Sequence, residues 1–142
     1  MKSVFKIIFI SLAFSMIDNE TLAQNIVGQW KRTAIITTYD NGKTVDEMAE
    51  LTKTMPCTAD IVYVFEASGN LTMRVPKGCP IPAVLSTWKL NSSTLTTSMK
   101  DVTNTDQVSI SGNTMTTTHA YSPQDKYVPK GVKSLKVVYQ KL

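Results

Sequence analysis

Beyond Asn25 the chain is divided into short runs rich in Val, Ile, Thr, Tyr and Trp, and each run is closed by Gly, Asn, Ser or Pro. Branched and aromatic side chains fit a pleated, half-buried surface, and frequent turn residues leave little room for long helices. The pattern predicts strands over 27–39, 60–66, 70–75, 84–90, 94–100, 107–111, 113–121 and 134–141. The links Ala67-Ser68-Gly69, Asn91-Ser92-Ser93 and Gly112 are tight, so sequential strands are antiparallel neighbours in a meander. The fold class expected is all-β, with eight strands.

The stretch Phe65 to Leu71 fixes a register. A three-residue loop with Gly69 in the left-handed region pairs Phe65 with Leu71, Tyr63 with Met73 and Ile61 with Val75, all on one face. Continued outward, the same register sets Cys57 opposite Cys79, within the Cα separation a disulfide accepts. Pro56, Pro76 and Pro80 cannot donate to a ladder and fray the pairing there, which leaves two separate thiols as the alternative.

One segment departs from the strand pattern. Thr44-Val45-Asp46-Glu47 has the form of a helix capping box, and Pro56 ends the run. Asp46, Glu47 and Glu50 suit the positive end of a helix dipole and Lys53 the negative end. Val45, Met48, Met55 and either Leu51 or Thr52 share one face. A helix of two to three turns is therefore expected between the first and second strands.

Ahead of the strands, Lys2 and Lys6 flank an apolar run over 7–17, followed by polar residues and Thr21-Leu22-Ala23. That is the order of an export signal over 1–23, with the barrel-forming domain over 24–142. Such a run is too short as a helix to cross the roughly 30 Å of a bilayer's hydrocarbon; a retained anchor is the competing reading. Together with the cysteine pair, the signal implies a secreted or periplasmic protein with no integral membrane segment once it is removed. Asp18 and Glu20 balance Lys2 and Lys6, so the net charge of +4 survives removal. The lysines are dispersed and lack interleaved aromatics, which argues against nucleic acid as a partner.

Few residues carry chemistry. His119 shares a strand face with Met115, Thr117 and Tyr121, and is the chain's single histidine. The cysteines form no C-x-x-C pair, and G-x-S-x-G, H-E-x-x-H and glycine-rich phosphate loops are absent, so neither an enzyme nor a bound cofactor or metal is expected. Asp40, Asp60, Glu66, Asp101, Asp106 and Asp125 fall near strand ends or in loops, where solvated groups are usual. The inward phases carry Trp30, Tyr63, Phe65, Met73, Trp88, Leu90, Met99, Met115 and Tyr121, with Thr97, Thr117 and His119 among them. These residues suit either a solid core or the lining of a small cavity.

Gly28-Gln29-Trp30 at the start of the first strand resembles the G-x-W element of the lipocalin and calycin superfamily. The ordered set "GQWKRT", "YVFEASGNLTM", "STWKLNSSTLT" and "LKVVYQKL" is similar to small secreted bacterial lipocalin-like domains. The resemblance implies an eight-stranded up-and-down antiparallel barrel with Trp30 at its closed end and the helix as a lid at its mouth. It departs from the family in two ways: no Arg or Lys beside Trp30 can be assigned, and no long C-terminal helix follows. It further implies a monomer that binds a small, largely apolar molecule without catalysis. The candidate ligand-binding residues are Tyr63, Met73, Trp88, Met99, Met115 and His119, with Val45, Met48 and Met55 on the lid. The alternative is a filled barrel that binds a protein partner through its loops, chiefly 121–133.

Overall fold

The computed structural model describes residues 22, 23, 25–125 and 128–142. Its elements are β1 (Gly28–Tyr39), β2 (Thr44–Asp46), helix α1 (Met48–Thr54), a 3₁₀ turn (Pro56–Asp60), β3 (Val62–Phe65), β4 (Asn70–Arg74), β5 (Val84–Asn91), β6 (Thr94–Met99), β7 (Val102–Ser111), β8 (Thr114–Ala120) and β9 (Val132–Lys141). The strands run β2-β1-β3-β4-β5-β6-β7-β8-β9, and β1 also pairs with β9, which closes eight of them into an antiparallel barrel. This is the architecture expected from the sequence.

The closure runs from Trp30↔Lys141 to Tyr39↔Val132, with an irregularity between Arg32 and Ala34. Along its other edge β1 has two partners in turn. Gly28 to Lys31 pair with β3, and Ile36 to Thr38 pair with β2. β2 has no counterpart among the expected strands, and its formation corrects the capping box. Thr44 is drawn into the ladder opposite Thr38, so the helix starts four residues later. The N-cap is Glu47, whose side chain makes no capping bond, and Asp46 just ahead of it steadies the helix start, its Oδ1 accepting from the backbone N–H of Met48 at 2.9 Å and of Ile35 at 3.2 Å. Glu47 instead accepts from the Thr37 hydroxyl at 2.7 Å.

The hairpin register is as expected, with Phe65↔Leu71 and Tyr63↔Met73, and Gly69 at φ +88°. Cys57 and Cys79 form a disulfide with Cα atoms 5.7 Å apart. Cys57 sits on the 3₁₀ turn rather than on an extended strand, so the bridge ties that turn to the loop between β4 and β5. The 3₁₀ turn is also held to β1 by the ion pair of Lys31 and Asp60, 3.0 Å long.

The core gathers at the end where β1 begins. Ile26, Trp30, Phe65, Trp88, Leu95, Val108 and Met115 form one buried cluster, and Leu22, Val27, Leu71, Leu90 and Ile110 pack against it. The indole N–H of Trp30 donates to the Ile26 carbonyl at 2.8 Å, and that of Trp88 to the Glu66 carbonyl at 3.0 Å. The cation beside Trp30, which no sequence signal assigned, is Lys141, the last residue of β9. Its Nζ lies 5.1 Å from the Trp30 ring centroid and donates to the Asn25 carbonyl. Gly28 makes room for it, since a Cβ there would stand 2.9 Å from the lysine Cε and the backbone holds φ +140°.

Two outcomes are expected. Alkylation without reduction will find no free thiol, and the Cys57→Ala/Cys79→Ala variant will lose about 3 kcal/mol in urea unfolding, the chain-entropy value for a closed loop of this size. Gly28→Ala will lose about 1 to 3 kcal/mol, because the new methyl adds crowding to a positive φ.

Candidate functional site

The barrel interior changes character from one end to the other. The closed end is packed and apolar around Trp30 and Met115, both fully buried. Next comes a polar layer. Arg32 and Tyr139 are cross-strand partners, and Tyr63 meets Tyr139 edge to face with ring centroids 5.3 Å apart. The Arg32 guanidinium lies over the Tyr63 ring, 5.8 Å from its centroid, and its buried Nε has no hydrogen-bond partner. Burial raises the pKa of both phenols; Arg32 offsets part of the rise at each, while Tyr63 and Asp106 add to it at Tyr139.

Above this layer the barrel opens into a recess of about 570 Å³, lined by Asp101, Val102, Thr103, Asn104, Asp106, His119, Tyr121, Asp125 and Leu135. Its origin is in the strand lengths. β7 pairs with β6 from Val102 onward, but its pairing with β8 begins only at Gln107↔Thr118. The first half of β7 therefore has one free edge, and the recess lies along it. His119, one step past the last β7–β8 pair, turns its Nδ1 to Asp106 Oδ1 at 2.9 Å and to the Thr105 carbonyl at 3.2 Å. Its ring meets that of Tyr121 edge to face at 4.7 Å. An imidazole held by a carboxylate in this way has a fixed orientation and can present its other nitrogen to a guest.

The residues singled out in the sequence are spread over three places. His119 lines the large recess. Met99 lines a second, shallower recess of about 320 Å³ with Asn70, Leu85, Ser86, Thr87, Ser98 and Lys100. Trp88 and Met115 belong to the buried cluster, with Tyr63 packed against it. Met73, partly buried, pairs with Tyr63 and Val84. Of the lid residues, Val45 is on β2, Met48 is the buried first residue of α1, and Met55 is its C-cap.

Arg32, Asp106, Leu135 and Tyr139 were missed in the sequence. Arg32 was within reach, since it is two residues from Trp30 on the same phase, and Asp106 emerges once the β7–β8 register is known. The sequence matches no known protein-family model and no curated protein. Among the described residues no helix is long and apolar enough to cross a membrane, and no group of three or more His, Cys, Asp or Glu is placed to hold a metal ion.

The two phenols make alkaline stability predictable. Their folded pKa lies above the unfolded value near 10. Their contribution is thus complete below that pH and is lost as pH rises, because the unfolded chain releases protons that the folded chain keeps. Urea midpoints will fall above about pH 10, and Tyr139→Phe will make that fall shallower. Tyrosinate absorbance will show these two groups ionising above the usual tyrosine range.

Proposed function

We propose that this chain is a non-catalytic carrier of the lipocalin-like kind, taking a small, largely apolar molecule at the open end of its barrel. The observation that carries the reading is the recess above the polar layer, in a barrel whose other end is closed by packed side chains. Leu135, Val102 and Tyr121 supply apolar contact, and the His119–Asp106 pair supplies a few directed polar contacts, the usual division of labour in a small-molecule site.

The chemistry of the lining narrows the guest. Residues 101–125 hold Asp101, Asp106 and Asp125 and no Lys or Arg. The polar end of the guest is therefore one that donates hydrogen bonds or carries positive charge, such as an alcohol or an amine. An exported chain, as the leader and the disulfide suggest, would meet such molecules outside the cytoplasm. The packed lower half of the interior favours a second reading, in which the barrel is a rigid frame and its loops hold a protein partner.

Isothermal titration with medium-chain alcohols, amines and carboxylates tests the first reading. Alcohols or amines will bind more tightly than the matching carboxylates. Asp106→Asn and His119→Ala will each weaken binding about fivefold or more, the effect of losing one good hydrogen bond, without lowering the thermal midpoint by more than a few degrees. A flat titration for every probe, or variants that bind as the parent does, would sink it. Envelope proteins retained by the parent, but not by a variant with the 121–133 loop shortened, would favour the second.

A further inference from the structure

Charge along the barrel wall is divided at one point. Between Glu66 and Asp101 the chain has Arg74, Lys77, Lys89 and Lys100 and no carboxylate, whereas from Asp101 to Asp125 it has three carboxylates and no Lys or Arg. The first stretch is β4, β5 and β6, which are neighbours in the sheet, and the second is β7 and β8. The division falls on the two residues that turn β6 into β7. β4 and β5 carry Arg74 and Lys89, and the turns at their rim carry Lys77 and Lys100, whereas the one carboxylate on β7 and β8, Asp106, faces the mouth recess.

The cationic wall is also where apolar side chains stand out. Leu85 is 69% exposed, and Met99, at the end of β6, is 39% exposed. Leu85, Met99 and Lys100 share the shallower recess, which forms where β5 and β6 part beyond Thr87↔Ser98. Arg74 ends the strand that pairs with the Leu85 segment, and Lys77 comes next in the exposed loop. Exposed Leu and Met bordered by exposed cations is the composition of a surface that enters the headgroup region of a membrane. The apolar side chains reach the acyl boundary while the ammonium groups stay at the phosphates.

We propose that this wall docks on an anionic phospholipid bilayer, through Leu85, Met99, Arg74, Lys77 and Lys100. Charge complementarity selects the partner, since Arg74, Lys77 and Lys100 outnumber the carboxylates at the patch margins, Glu66 and Asp101, and a net positive surface is drawn to phosphates. The protruding apolar groups select a lipid surface over a nucleic acid, which would be met by stacking aromatics rather than by Leu and Met. Docking there sets the barrel mouth close to the bilayer, the source or sink of an apolar cargo. That last consequence rests on the carrier reading; the docking itself does not.

The test is co-sedimentation of the unliganded protein with vesicles of equal parts phosphatidylglycerol and phosphatidylcholine, and with phosphatidylcholine alone. Binding is expected to the mixed vesicles only, and is expected to fall at least tenfold between about 0.05 and about 0.5 M salt, as screening shortens the reach of each charge. Leu85→Ser/Met99→Ser and Lys77→Glu/Lys100→Glu will each reduce it at least fivefold. Lys136→Glu, on the outer face of β9, and Asp106→Asn, in the mouth recess, will leave it unchanged. Lys77, Leu85, Met99, Lys100 and Lys136 are all exposed, and a circular dichroism spectrum matching the parent confirms that each variant is folded. No binding at low salt, equal binding to both vesicles, or unchanged binding by Leu85→Ser/Met99→Ser would overturn the proposal. Retention on heparin as strong as on the mixed vesicles would also overturn it, in favour of a general polyanion surface. The two readings fail separately: a parent protein that binds vesicles but none of the alcohol, amine or carboxylate probes counts against the carrier reading alone.

Discussion

The pairing of β1 with β9 is the constraint on which the rest of the molecule depends. It joins residues 93 to 111 positions apart, so its loop-closure cost is met only when the intervening strands have formed their own short-range pairs. The seam is locked at its lower end by Lys141, which reaches from the last strand across Trp30 to the Asn25 carbonyl. The irregularity after Arg32 shifts the phase of the strand. Below it Trp30 and Arg32 share the inner face with Lys141 and Tyr139, and above it Ile35 and Thr37 share that face with Val137 and Leu135. Without that extra residue, Ala34 and Ile36 would turn inward and the upper interior would have a different lining.

Above the seam's base the interior is graded rather than uniform. The fully buried cluster gives way to a guanidinium between two phenols, and then to a histidine and carboxylate pair open to the recess. Each step upward exchanges apolar contact for groups that need partners. The Arg32 cation is tolerated because the Tyr63 ring offers its face and because the layer borders the wetter half of the barrel. The same burial that keeps the phenols protonated makes this layer sensitive to any change that admits water or charge.

Much of the wall was legible in the sequence because local rules govern it. The hairpin from Phe65 to Leu71 was set by a glycine and a three-residue loop; its ladder stops at Val62↔Arg74, short of the expected Ile61–Val75 pair, and the cysteines meet beyond it through the 3₁₀ turn. Two pieces of strand were not legible. Thr44 to Asp46 satisfies a helix-cap pattern, and only the presence of β1 alongside makes the ladder win. Val102 to Asp106 lacks apolar alternation because four of its five residues are exposed and one of its edges faces a recess. The site was less legible still. His119 was placed on its face by alternation, but its partner Asp106 comes from another strand and becomes visible only when the register is fixed. Lys141 on Trp30 is likewise a contact between the two ends of the chain, and no local signal announces it.

The segment after β1 has a consequence for how the barrel could breathe. Its front end is stitched to β1 by a ladder, by Asp46 and by the bond from Thr37 to Glu47, and its rear end is fastened by a sulfur bridge and an ion pair. A flap pinned at both margins behaves as part of the masonry, not as a door. On the opposite side, where β7 stands free of β8, one imidazole holds the two strands together, His119 reaching Asp106 and the Thr105 carbonyl. The helix is the fixed jamb of the rim, and the imidazole is the latch that faces it.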